Sequence, residues 1–467
     1  MQDLRCIMLF LFLLSTGVNY AQVIQQDVEA DSLPHYPKDE DPAIPIDVEA
    51  DLNASFPKPG SVLGTIIPGN YFDWKVDLYK RTGIKLGISY QAMFLGVPQS
   101  QTVTETSRNT GLGGFLLLEA QWHFINKGKD YEGGITATLD WRHNLGSNNG
   151  MPGDLFFDVG SGIGVDATFL PWDPYASILF WEQHLKKDRF WFRIGQTAPA
   201  AMMDFFRYKD ARVSFTGIPN TFPTTVVPYG PPSLGFGFNW NLKQGSHLYL
   251  KGVVNDLNVD AGEFDWSGLF EYGEIYTALE IGKHWFRTSK DFDHAHLMFF
   301  YADKKSTAGV DIGDQFIPFP TSAGWGFKVH GSKQWNQLVG FANYTYNKAE
   351  GGGFGIFTGI QHSATAGLVY NDLFKISGEM GLAFNLSSPI KDWANSINNP
   401  QNPSEFLLTQ VWTVARDTPQ YSTEIYWRIL LLKQLWVTPG IQLFMNPTYN
   451  TRTDFIIAPS FKARVYF

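Results

Sequence analysis

DFIIAPSFKARVYF, residues 454–467, sorts its side chains onto two faces when alternate positions are taken. Phe455, Ile457, Pro459, Phe461, Ala463, Val465 and Phe467 make a face without charge. Ile456, Ala458, Ser460, Lys462, Arg464 and Tyr466 make the other, with two cations. A period of two belongs to a strand that keeps one face from water, and a water-soluble sandwich would show it too. The aromatic residue at the last position adds a second constraint. A strand that closes a membrane barrel turns its apolar face to lipid and its polar face to the lumen, and here that alternation runs to the final residue.

The composition fits a barrel. Of 467 residues, 44% are hydrophobic, 16% aromatic and only 17% charged, so polarity comes from Gly, Ser, Thr, Asn and Gln more than from ions. That mixture suits a wall with lipid outside and water inside. Beyond residue 22 no stretch approaches the roughly 18 uninterrupted apolar residues of a spanning helix. Closed sheets are the other way to satisfy backbone polar groups in lipid. The formal charge of −9 is concentrated in residues 22–60, where nine acids against Lys38 and Lys58 give −7. The nearly neutral remainder lacks the basic footprint of nucleic-acid binding.

Four segments follow. Residues 1–21, with Arg5 ahead of the apolar run Ile7–Leu14 and a small residue at Ala21, read as a secretory signal peptide. They contain the sole cysteine, Cys6, so the mature chain is expected to hold no disulfide. Residues 22–69 are acidic and proline-bearing, with DVEAD at 27–31 and again at 47–51, and predict a flexible periplasmic tail. Residues 70–82 set Phe72, Val76 and Tyr79 at helical spacing, which predicts a short amphipathic helix stopped by Gly83. Residues 83–467 then repeat alternating units separated by turns.

The series opens with Ile84, Leu86, Ile88, Tyr90 and Ala92 on one face and Lys85, Gly87, Ser89 and Gln91 on the other. Ile135–Arg142 alternates without error, and units such as Phe190–Gln196, Leu248–Val254 and Ile376–Phe384 continue it. Short connections alternate with long ones such as 145–166 and 390–403. The whole predicts an all-β fold, a transmembrane antiparallel β-barrel of 16 strands with a short N-terminal helix. Boundary uncertainty of about two to four residues leaves 14 or 18 strands open. A barrel of that size encloses an aqueous channel, whereas about eight strands would be filled by side chains.

The middle of the chain carries a family resemblance. Trp181, Glu182, Gln183 and His184, followed by Arg189, Arg193, Gly195, Gln196 and Phe205, resemble the carbohydrate-selective porins of bacterial outer membranes, the OprB-like family. Gly83, Ile84 and Tyr90 agree with it at the first strand. Gly324, Trp325 and Gly326 agree in a late strand, as do Thr423, Glu424 and Tyr426 ahead of Pro439, Asn446 and Pro447. The resemblance runs from about Trp74 to Phe467. It implies a 16-stranded barrel that passes monosaccharides and related small polyols by diffusion, with a constriction of charged and aromatic side chains. It also implies an outer-membrane location, with small carbohydrates and outer-membrane lipid as partners. A monomer and a homotrimer both fit.

Alternation chooses the residues that could meet a solute. With Phe190, Phe192 and Ile194 toward lipid, Trp191 and Arg193 face the lumen; with Leu179 and Trp181 outward, Glu182 faces in, and so does Phe180. Glu182, Trp191 and Arg193 are therefore the expected constriction. Carboxylates and guanidinium groups suit sugar hydroxyls, and an aromatic ring suits the apolar face of a pyranose. Asp140, Arg142, Glu424, Tyr426 and Arg428 are expected to line the pore, where plain hydrated wall is the competing reading. Trp122, Trp141, Trp240 and Trp427 fall on outer faces and read as interfacial girdles.

Other constellations point nowhere specific. Asp291, Asp293, His294 and His296 lack a metal-ligand spacing and read as a turn entering a strand. Residues 160–166, GSGIGVD, lack the Lys and Ser/Thr of a phosphate loop. Neither GxSxG nor HExxH occurs, so nothing calls for an enzyme, a cofactor or a metal. Two alternatives to a sugar-selective pore stand: a general diffusion or anion porin, and a secreted β-rich glycoside hydrolase with paired carboxylates.

Overall fold

In the computed structural model the described residues are 52, 55–65, 67–146, 150–161, 166, 172–186, 189–204, 206–221, 232–242, 247–259, 264–286, 292–305, 309–312, 315–318, 323–348, 360–399 and 415–467. The expected signal peptide and residues 22–51 of the acidic tail lie outside them, as do Phe205 and Asp291.

Sixteen alternating segments form one closed antiparallel barrel. They are β1 (Ile84–Gly96), β2 (Thr110–Ile125), β3 (Gly133–Asn144), β4 (Trp172–Lys186), β5 (Phe190–Thr197), β6 (Ser233–Asn241), β7 (Leu248–Asp256), β8 (Ile275–Phe286) and β9 (Phe292–Ala302). Then follow β12 (Gly324–Trp335), β13 (Leu338–Asn347), β14 (Ile360–Asn371), β15 (Gly378–Pro389), β16 (Gln420–Leu432), β17 (Leu435–Met445) and β18 (Phe455–Tyr466). Between β9 and β12 a separate hairpin, β10 (Gly309–Ile312) with β11 (Gln315–Pro318), stands off the barrel sheet. Each strand pairs with its sequence neighbours, and β1 closes the ring on β18 with Ser89 opposite Tyr466 and Phe94 opposite Phe461. The connections at one end are short in sequence, Lys433–Gln434 being a two-residue turn, and the long connections gather at the other end.

Burial along these strands is inverted relative to a soluble protein. Lys85, Ser89, Gln91, Glu280, Lys328, Lys462 and Arg464 are buried, while Ile194, Leu279, Phe299, Val329 and Leu368 on the alternate positions are exposed. The closing strand follows its two faces residue by residue, with Ile456, Ala458, Ser460, Lys462, Arg464 and Tyr466 all turned in. Trp122 and Trp240 stand exposed toward the short-turn end and Trp141 toward the long-loop end, the levels of two girdles. Val329 lies halfway along β12 and is 46% exposed. Val329→Arg is expected to cost about 2 to 4 kcal/mol of folding free energy in lipid, because it puts a charge at mid-bilayer. A denaturant titration of the two proteins in vesicles checks it.

Sequence reading missed three features. The hairpin β10–β11 follows no alternation that distinguishes it from loop. The strand expected to begin at Ile376 begins at Gly378, because Leu373–Lys375 form a tight 3-10 turn with positive φ at Asp372, Phe374 and Lys375. Thirdly, the expected flexible tail has a docked end. Lys58, Val62 and Leu63 donate backbone hydrogen bonds to the carbonyls of Lys433, Leu430 and Leu431, so this part of residues 22–69 is strapped across the short-turn rim.

The expected helix forms as α1 (Gly69–Thr82), ended by Gly83 in the left-handed conformation at φ 82°. Its buried face carries Phe72, which packs with Leu52 and Phe56. Leu52 reaches the lumenal side of β1, where it lies against Gly87. Lys75 is fully buried in this cluster and donates to Ser55 Oγ at 2.7 Å and to the carbonyl oxygen of Phe467 at 3.0 Å. Burial pushes its ammonium down to about 7, with Glu119 opposing the shift. Below pH 7 Lys75 is charged both docked and undocked, and docking carries the whole desolvation cost. Between pH 7 and the ordinary lysine range the undocked form binds the extra proton, so docking strengthens as pH rises, by something of the order of 4 kcal/mol across the window. Amide-exchange protection of α1, corrected for the intrinsic rate, should climb over that window, and Lys75→Met should flatten the climb.

Candidate functional site

The connection from β5 to β6 enters the barrel. Its residues 198–221 begin with the turn Pro199–Ala201 and then follow the inner wall. Two apolar patches seat it. Ala200, Met202 and Met203 pack on Val253, Tyr276, Ala278, Met298 and Phe300, inward residues of β7 to β9. Phe206, Tyr208 and Phe215 pack on Val339, Phe341, Val369, Ala383 and Tyr426, inward residues of β13 to β16. Gly381 makes room for this second patch, since a Cβ there would collide with the Tyr426 ring and lie 2.9 Å from Phe215. Such inward apolar residues have no use in a water-filled wall; they exist to hold the loop.

Polar anchors fix the rest. The Asp204 carboxylate takes Lys328 Nζ at 2.7 Å and His296 Nε2 at 2.9 Å, and its backbone N–H donates to Glu280. Burial raises the Asp204 carboxyl, but Lys328, the His296 hydrogen bond and Lys209 outweigh it and hold the group well below the usual carboxylate range. Lys209 donates to three loop carbonyls, those of Ala200, Met203 and Asp204, at 2.7 to 2.8 Å. Burial pushes Lys209 down to about 8 against the pull of Asp204. Further along, Glu424 on β16 accepts from the backbone N–H groups of Thr216 and Gly217 and from Asn220 Nδ2. Lys462 on β18 donates to the carbonyls of Ala211 and Ser214, and Gln91 on β1 donates to that of Arg212. The anchors thus run from β7 round to β1.

The residues expected to face solute divide between two arcs. Asp140 and Arg142 on β3, Glu182 on β4, and Trp191 and Arg193 on β5 stand on the arc across from the anchors. Arg142 forks onto Asp140, with Nη2 at 2.8 Å from Oδ2. Arg193 pairs with Glu182, which also takes His184 Nε2 at 3.1 Å. The Arg193 guanidinium lies over the Phe180 and Trp191 rings, 4.6 and 4.8 Å from their centroids. Trp191 is half-buried against the first apolar patch of the loop. From the loop, Arg212, which is paired with Asp210, acts electrostatically on Asp140.

Glu424, Tyr426 and Arg428 lie on the other arc. Glu424 and Tyr426 are loop anchors, the first through hydrogen bonds and the second through edge-on contact with Phe215 at 4.7 Å. Arg428 pairs with Glu379 at 3.5 Å and lies over Trp436. Of the residues read as a turn entering a strand, Asp293, His294 and His296 lie in β9; Asp293 accepts from Gln334 N–H, while His296 binds Asp204. Among the described residues no group of three or more His, Cys, Asp or Glu is arranged to hold a metal ion. Asp210, Arg212 and Asp204 were not foreseen, since KDAR in a loop without period carries no signal of where it goes.

No family model matches the chain, and no curated protein matches its sequence. Among solved structures, the high-pH form of Pseudomonas putida OprB is similar over 86% of this chain and 99% of its own, at 14% identity and a TM-score of 0.59. Its low-pH form gives 11% identity and a TM-score of 0.47 over 86% and 98%. A loop-deletion mutant of Vibrio cholerae OmpT, an outer membrane protein, gives 9% identity and 0.46 over 82% and 99%. The first of these shares the fold of this chain nearly end to end.

Proposed function

We propose that this protein is an outer-membrane porin through which monosaccharides and related small carbohydrates diffuse passively into the periplasm. The aperture lies between residues 198–221 and the β3 to β5 wall. What supports this reading is the closed barrel with an apolar exterior and a charged interior, in which the inward wall of β3 to β5 carries the pairs Asp140 with Arg142 and Glu182 with Arg193, and the loop carries a third, Asp210 with Arg212. Paired in this way they are neutral as couples, so they favour neither ion, and the part-exposed Arg142, His184 and Trp191 on the same wall are the groups within a solute's reach. Phe180 and Trp191 add aromatic surface beside them. A neutral polyol matches that lining better than an anion does, which places the sugar pore ahead of an anion porin. Transport asks only for weak contact, since a millimolar site is worth about −4 kcal/mol. The apolar exterior and the fold shared with OprB support a membrane pore over a water-soluble hydrolase.

Liposome swelling tests it. Vesicles carrying the refolded barrel should swell rapidly in isosmotic glucose and markedly more slowly in a disaccharide. Equal swelling in both, at the rate of protein-free vesicles, would remove the proposal.

A further inference from the structure

The connection from β7 to β8 behaves unlike the β5 to β6 connection that enters the barrel. Its described residues 264–274 include a short helix at Ser267–Glu271 and four exposed aromatic side chains: Phe264, Trp266, Phe270 and Tyr272. Phe270 is 82% exposed, more than any other large hydrophobic side chain among the described residues.

Two contacts show the side of the barrel on which this segment lies. The Trp266 indole N–H donates to Gln196 Oε1 at 3.1 Å. Gln196 is two positions beyond the exposed Ile194 on β5, and so stands on the outward face. Gly268 packs against Asp256, which in turn is two positions beyond the exposed Val254 on β7. The segment therefore hangs over the outside of the wall at its long-loop end. There it sits in line with outward aromatics of the neighbouring strands, Tyr301 at the end of β9 and Trp325 at the start of β12, both exposed. Phe264 and Trp266 contact each other at 5.2 Å between centroids, and both rings, like those of Phe270 and Tyr272, keep exposed surface.

We propose that residues 264–272 are a membrane-surface anchor, a lateral extension of the aromatic girdle whose rings enter the headgroup level of the outer leaflet. Amphipathic rings such as Trp and Tyr, apolar at one end and polar at the other, favour that level. The occupant is lipid because the patch continues a belt that already faces lipid. Asp265 and Glu271 on the same segment would remain at the aqueous boundary, with Asp265 held by Ser267.

The test uses the full chain with Cys6→Ser and a single new cysteine, Phe270→Cys, labelled with an environment-sensitive fluorophore and reconstituted into phospholipid vesicles. Thr106→Cys, exposed on the β1 to β2 connection at the same end, is the water-facing control. The label at 270 is expected to be blue-shifted and quenched several-fold more strongly by lipids brominated near the headgroup than the label at 106. Equal quenching at the two sites would overturn the anchor. A blue shift that persists in detergent and grows with protein concentration would also overturn it, assigning the patch to contact between copies.

Discussion

Replacing both Glu424 and Lys462 by alanine is expected to release residues 198–221 from the wall and to raise single-channel conductance several-fold, with loss of any sugar block. The two side chains hold opposite polarities of the same backbone. Glu424 accepts from Thr216 and Gly217, and Lys462 donates to Ala211 and Ser214, so between them they secure the carbonyls and N–H groups of one stretch. Hydrogen bonds to charged groups contribute about 1.5 to 3 kcal/mol each, and the groups left behind are buried and unpaired. Several such losses free the 211–220 stretch, whose remaining ties to the wall include the Phe215 contact and the Gln91 hydrogen bond. The barrel should survive, because its strands are joined by their own ladders, and heat-modifiable migration on a gel would confirm that it has. Unchanged conductance in a well-folded double variant would mean that the apolar patches and the Asp204 anchors suffice to seat the loop.

Arg193→Ala is expected to destabilise the barrel by about 3 to 5 kcal/mol, as removal of one partner from a buried ion pair strands the other charge. Glu182 would be left with His184 as its remaining partner, and the Phe180 and Trp191 rings would lose the guanidinium that lies over them. The double substitution Glu182→Gln with Arg193→Met should recover most of that loss, since apolar or neutral groups of similar shape replace a costly pair. Denaturant titrations of the wild type and the two variants in vesicles give the comparison. The double variant is also the informative one for transport. It keeps the wall in place but removes one of the three pairs, so its affinity for sugar should fall while its fold remains. If the single and double variants were equally stable to denaturant, the pair would not be buried in lipid-embedded protein as it is here.

How far the sequence speaks depends on what alternation encodes. Period two reports which side chains leave the water or lipid on one side of a strand, and that is enough to draw β1, β3 and β18 with their faces right. It says nothing about what an inward side chain meets. Glu182 and Glu424 look alike in sequence, both acidic and both inward, yet the first is paired with Arg193 and the second is an anchor for backbone N–H groups. Tyr426 and Phe341 carried a hint, because an aromatic residue on a lumenal face wants a partner, but the partner is a loop without pattern. The docked end of the tail was hidden for a related reason. Acidic composition describes residues 22–51 and was extended to Leu52 and Phe56, whose burial is decided by α1 and the barrel mouth.

The central claim, a sugar-admitting pore narrowed by residues 198–221, is tested most directly by single-channel conductance in a planar bilayer while glucose is titrated in. The account predicts discrete openings of one size and a saturable, millimolar reduction of current by glucose that weakens in Trp191→Ala. Openings that ignore glucose at every concentration, or well-folded barrel that conducts nothing, would contradict it.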